Sequence, residues 1–211
     1  MTGRRWRQAV LLLALGLAAS SCGGPSPEET ARARTVFESC AACHGAEGQG
    51  KREVGAPNIA GLPSWYIRNQ LRKFQIGHRA YVPEDTLGQR MAAATALLTQ
   101  PGDMSVVADY IERLPVTTPS VTVHGDPQAG RVAYQACISC HERDGSGRRD
   151  KNAPPLPGLA DWYFVSALRD FRRGWRGTNA NDQSGTTMRP VTIPLSDADM
   201  DNLAAYVATL R

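Results

Sequence analysis

CAACH, at Cys40–His44, and CISCH, at Cys137–His141, are two copies of one five-residue frame. C-x-x-C-H is the frame by which a c-type haem is attached. The chemistry sets the spacing. Two cysteines three positions apart lie about one turn apart on a helical segment. Both sulfurs can then reach the vinyl groups on one edge of a haem and form thioethers. The histidine follows directly, so its ring is carried to the iron on one face. Two rival chemistries use similar residues: a thioredoxin-like redox pair, and half of a zinc site. A redox pair needs no histidine after it, and zinc would need the two frames to converge. We read both frames as covalent haem sites, with Cys40, Cys43, Cys137 and Cys140 as attachment points and His44 and His141 as iron ligands.

Outward from the frames, the chain repeats itself at an offset of 97. Phe37 maps to Tyr134, Pro57 to Pro154, Trp65 to Trp162, Leu71 to Leu168, Phe74 to Phe171 and Met91 to Met188. Near the end the offset falls to 96, with Met104 mapping to Met200 and Tyr110 to Tyr206. The expected organisation is a first domain over 26–114, a linker over 115–125 rich in Pro, Thr and Val, and a second domain over 126–211. A domain this small has a thin core of its own, so a buried haem would supply much of its apolar surface.

Each copy reads as all-helical. Ser26-Pro27-Glu28-Glu29 is a capping-box start, and Ala33, Val36, Phe37 and Cys40 follow on one face. Asp126-Pro127 opens the second copy, with Gly130, Ala133, Tyr134 and Cys137 on the matching face. A middle helix after Ser64 carries Ile67, Leu71 and Phe74, and its twin carries Phe164, Leu168 and Phe171. Closing helices show Val107, Ile111 and Leu114, then Leu203, Val207 and Leu210, the second capped by Ser196 and Asp199. The segments 46–61 and 143–158 are rich in Gly, Pro and charge and read as loops around the haem.

The sixth ligand of each iron must come from elsewhere in the chain, and methionine is a common choice. His44 to Met91 and His141 to Met188 are both 47 residues. Met91 and Met188 are the expected ligands, placed in irregular segments ahead of the closing helices. Met104 and Met200 fall inside those helices and read as core. His78 has Trp175 as its counterpart, so it does not recur as a ligand should, and His124 lies in the linker.

The N-terminus reads as an export signal over 1–21. Arg4, Arg5 and Arg7 precede an apolar run from Ala9 to Ala19, too short to span a bilayer as an ordinary helix. Small residues then lead to Cys22, as in a bacterial lipoprotein signal, where that cysteine receives the lipid. Cys22 is also the odd fifth cysteine, with no partner among the four at the haem frames. Three of the 24 Lys and Arg lie in the signal, leaving 21 against 20 Asp and Glu from Gly23 onward. That near-neutral balance gives no reason to expect a nucleic acid partner.

Three stretches carry a family resemblance: MRPVTIPLSDADMDNLAAYVATL (Met188–Leu210), HGDPQAGRVAYQACISCH (His124–His141) and LPSWYIRNQLRKFQIGHR (Leu62–Arg79). Together they resemble the two-domain, dihaem class I cytochromes c, nearest to the cytochrome c4 type. Two departures stand out. Met91 is followed by AAATALLTQPGDM, without prolines near the ligand, and Glu142 follows the second haem histidine, where Gly is common. The resemblance implies two tandem helical domains, each wrapped around one covalent haem c, with the haems facing each other near the domain interface. It implies an electron carrier on the bacterial periplasmic side, between a quinol-oxidising complex and a terminal oxidase. The alternative is a dihaem oxidoreductase such as a peroxidase or a thiosulfate-oxidising cytochrome, or an electron-entry subunit of a larger complex.

Overall fold

The computed structural model describes residues 24–210, so the expected signal segment and Cys22 lie outside the described residues. Among the described residues there is no sheet, only two isolated bridges, Lys51 to Ala56 and Arg148 to Ala153. These bridges pin equivalent loops at the offset of the repeat.

The first unit holds four helices: α1 (Pro27–His44), α2 (Ser64–Gln75), α3 (Thr86–Thr95) and α4 (Asp103–Glu112). α1 starts as its sequence dictates. The Ser26 hydroxyl accepts from Glu29 N, and the Glu29 carboxylate accepts from Ser26 N, closing a capping box with Pro27 in the first turn. α1 packs against α4, and Phe37, Val107, Ala108 and Ile111 form the core with Ile67 and Leu71 of α2.

The second unit repeats the plan with one break. Its first helix is split into α5 (Pro127–Ala133), a 3₁₀ turn at Tyr134–Ala136, and α6 (Ile138–His141). α7 (Asp161–Arg172), α8 (Gln183–Thr192) and α9 (Asp197–Val207) follow. Ser196 and Asp199 form the expected capping box on α9. Gly130 lets α5 lie against α9, since a Cβ there would stand 2.0 Å from the Asn202 carbonyl oxygen. Tyr134, Phe164, Leu168, Met200 and Leu203 fill this core, and Met200 is wholly buried.

One expectation fails. Met91 and Met188 lie inside α3 and α8, not in irregular segments. Both helices start from an aspartate cap: Asp85 accepts from Gly88 N at 2.8 Å and Asp182 from Gly185 N at 3.0 Å. With orphan donors satisfied, ten-residue helices form despite Gly at the third position and despite Pro190 in α8. Pro190 falls in the last turn, where its missing N–H costs one bond rather than the helix.

The two units meet through a pseudo-twofold contact. Tyr81 Oη lies 2.6 Å from Thr178 Oγ1, and these two residues occupy the same place in the repeat. Arg79 stacks on Phe74 and Arg176 on Phe171, again at equivalent positions. A residue touching its own counterpart is the signature of a self-complementary interface. Asn58 adds a bridge, donating to Gly158 O at 2.6 Å and accepting from Ala160 N at 2.9 Å.

Candidate functional site

Each haem histidine is buried and oriented by a backbone carbonyl. His44 Nδ1 lies 2.7 Å from Pro57 O, and His141 Nδ1 lies 2.9 Å from Pro154 O. A carbonyl only accepts, so Nδ1 carries the proton and the Nε2 lone pair is left for iron. Burial pushes both imidazoles below the usual histidine range, against the opposing pull of those carbonyls. The neutral ring is the form that binds metal.

The four cysteines are free of disulfides, and Cys43 is exposed. Burial pushes the Cys40 thiol up, and burial with the neighbouring Cys140 pushes Cys137 up to about 11. Cys40 and Met91 pack against the same apolar cluster in the first unit, as Cys137 and Met188 do in the second. In each unit one frame cysteine and the distant methionine therefore share one apolar cluster. Among the described residues, no three His, Cys, Asp or Glu groups converge as a metal cluster would need.

The second unit's site is a mostly apolar cavity with an empty space, mouth included, of about 1250 Å³. Cys137, Cys140, His141 and Met188 all line it, with Phe164 and Leu168 from α7. The surroundings suit a haem in a second respect, since its propionates are anions. Among the described residues, Arg79 and Arg176 are buried at the interface without a carboxylate in salt-bridge contact, and Arg79 Nε and Arg189 Nε are buried with no hydrogen-bond partner. Buried cations need anionic company.

Sequence reasoning missed part of this wall. Tyr66, Gln70 and Lys73 of the first unit line the second cavity. Arg79 and Arg176 could have been found, because they recur at the repeat offset just after the middle helices. Lys73 could not be found that way, since its counterpart is Asp170. His78 is half-buried in a polar cleft between the units and His124 is exposed, and neither lines the second cavity.

The cytochrome c profile matches residues 30–115 and 127–211. Cytochrome c4 of Azotobacter vinelandii is 29% identical over 184 residues, covering 82% of this chain and 84% of its own. The thiosulfate dehydrogenase electron acceptor of Thiomonas intermedia is 29% identical over 216 residues, covering 97% and 90%. The crystal structure of reduced recombinant cytochrome c4 from Pseudomonas stutzeri superposes with a TM-score of 0.67 at 25% identity, covering 86% of this chain and 98% of that one. Fold and site together define a helical protein with two covalently bound haem c groups, one in each unit. The chain belongs to the cytochrome c family, as a dihaem class I cytochrome like cytochrome c4.

Proposed function

We propose that this dihaem electron carrier takes single electrons from a quinol-oxidising complex and passes them toward a terminal oxidase, without acting on a substrate of its own. When bound, each haem supplies a one-electron couple at its iron. The chain's residues keep that couple closed. Cys40 with Cys43, and Cys137 with Cys140, fix the two groups through thioethers. His44 and His141 present Nε2, held by the Pro57 and Pro154 carbonyls. Met91 and Met188 supply the sixth donors, so no position is left for a substrate. The observation that carries this reading is the second cavity, where both cysteines, the histidine and the methionine line one space. Apolar walls from α7 exclude water, which keeps a soft thioether on the iron and favours the ferrous state.

A second reading concerns the partner. The relative from Thiomonas intermedia is named for accepting electrons from thiosulfate dehydrogenase, and it matches nearly the whole chain. The haem-loaded protein, mixed with thiosulfate alone, should stay ferric, and its reduced form should be reoxidised quickly by oxidase-containing membranes. Reduction by thiosulfate alone would make the protein an enzyme and reject the carrier reading. Reduction only when thiosulfate dehydrogenase is added would favour the second partner.

We further propose that the carrier works on the periplasmic side, tethered through lipid on Cys22. From Gly23 onward the chain is near neutral, which gives little electrostatic attraction to a membrane surface. No helix among the described residues is long and apolar enough to cross a membrane. The lipid would therefore have to supply the attachment. Wild type should fractionate with membranes, and Cys22→Ser should release it. Wild type recovered wholly in the soluble fraction would reject the tether and leave the haem sites untouched.

A further inference from the structure

In a twofold interface every contact between two residues should recur between their counterparts. The Lys73 ion pair does not recur here, just as the Asn58 bridge does not, since the counterpart of Asn58 is Pro155. Lys73 of α2 reaches across to Asp182, with Nζ 2.6 Å from Oδ1, and donates to Ser184 Oγ at 2.5 Å. The repeat turns Lys73 into Asp170 and Asp182 into Asp85. One end of the interface is therefore an ion pair, and the other end sets two carboxylates toward each other. Asp170 pairs instead with Arg173, one turn along from itself.

The position of the ion pair gives it a further role. Asp182 is the N-cap of α8 and Ser184 lies in its first turn, and α8 carries Met188. The Lys73 side chain is 11% exposed and that of Asp182 4%, so the bond is largely shielded from water. Lys73 also lines the cavity that Met188 lines. In the first unit, Asp85 caps α3, which carries Met91, but the residue offered to it across the interface is a carboxylate. The helix of one methionine is clamped from the other unit, and the helix of the other methionine is not.

We propose that Lys73 is a positioning residue of the second haem site: its bond across the interface holds the start of α8, and through it Met188, while the first site has no such clamp. The proposal rests on Met188 being the iron ligand. It makes the two irons unequal in ligand retention although their donors are the same, and it makes the second site depend on the first unit. Removing the lysine leaves Asp182 buried without its cation, the costly way to break such a pair.

The test is an imidazole titration of the full-length ferric protein. The far-red charge-transfer band of Met-ligated haem and the shifted methionine methyl resonances are followed for each iron. The resonances are assigned with Met91→Ala and Met188→Ala. Lys73→Met should raise imidazole affinity at the second iron by about tenfold and leave the first within about twofold. Asp182→Asn should do the same, because Asn caps a helix as well as Asp but forms no ion pair. Lys73→Arg should restore most of the wild-type behaviour. Equal changes at both irons would show a loosened interface and overturn the proposal, and so would no change at either. If Met188→Ala leaves the far-red band intact, the ligand assignment itself fails. If that assignment holds and Lys73→Met is silent, only the clamp fails.

Discussion

A ligand histidine needs one ring nitrogen for orientation and one for the metal, and here the Pro57 and Pro154 carbonyls take the first role. The histidines and cysteines were legible in the sequence because a C-x-x-C-H frame packs its chemistry into five consecutive residues. The carbonyl partners were not, since a backbone group has no sequence signature. Glu142 shows how one residue departs from its copy. It stands at φ 62 and ψ 167, where the first unit has Gly45 at φ 84. That region is essentially reserved for glycine and costs other residues roughly 1–3 kcal/mol. The side chain gives little back, since its contact with Arg148 is a half-exposed pair at 3.7 Å. Glu142→Gly should therefore stabilise the protein by about 1 kcal/mol, after the entropic cost of glycine is deducted. A guanidinium melt of the ferric protein measures this, and an unchanged or lower midpoint would contradict it.

At the scale of elements, caps decided what the hydrophobic pattern could not. The starts of α1, α5 and α9 were legible because Ser26, Asp126 and Ser196 precede clear apolar faces. α3 and α8 were not. Their starts carry Gly88 and Gly185, and α8 contains Pro190, which together resemble a loop. The aspartate caps outweigh those signals over a ten-residue span. The correction matters for function, because a methionine on a capped helix is held by everything that holds the helix start. That is the route by which Lys73, in another unit and far along the chain, can bear on Met188. The split of the second copy's first helix into α5 and α6 was likewise invisible, since Tyr134 to Ala136 keep the apolar periodicity through the 3₁₀ turn.

Over the whole molecule, the repeat predicts two similar units but not how they dock. Docking depends on residues that are equivalent yet face each other, Tyr81 with Thr178 above all, and on contacts where equivalence breaks, among them the ion pair of Lys73 with Asp182. The repeat offset even hides the second, because an unmatched lysine on an amphipathic helix reads as ordinary surface. The linker is tied to the second unit. Its end is fastened to α7 by the Asp161 carboxylate, which accepts from Thr122 N at 2.5 Å and Val123 N at 2.7 Å. The central claim is that each unit holds one haem between its own histidine and its own methionine, Met91 in the first and Met188 in the second. The measurement that tests it most directly is the far-red charge-transfer absorbance per chain of the ferric protein. Wild type is compared with Met91→Ala, Met188→Ala and the double variant. The account predicts two equivalents of Met-ligated haem in wild type, one in each single variant and none in the double. A band that survives in full in Met188→Ala, or that disappears on changing Met200 instead, would contradict it.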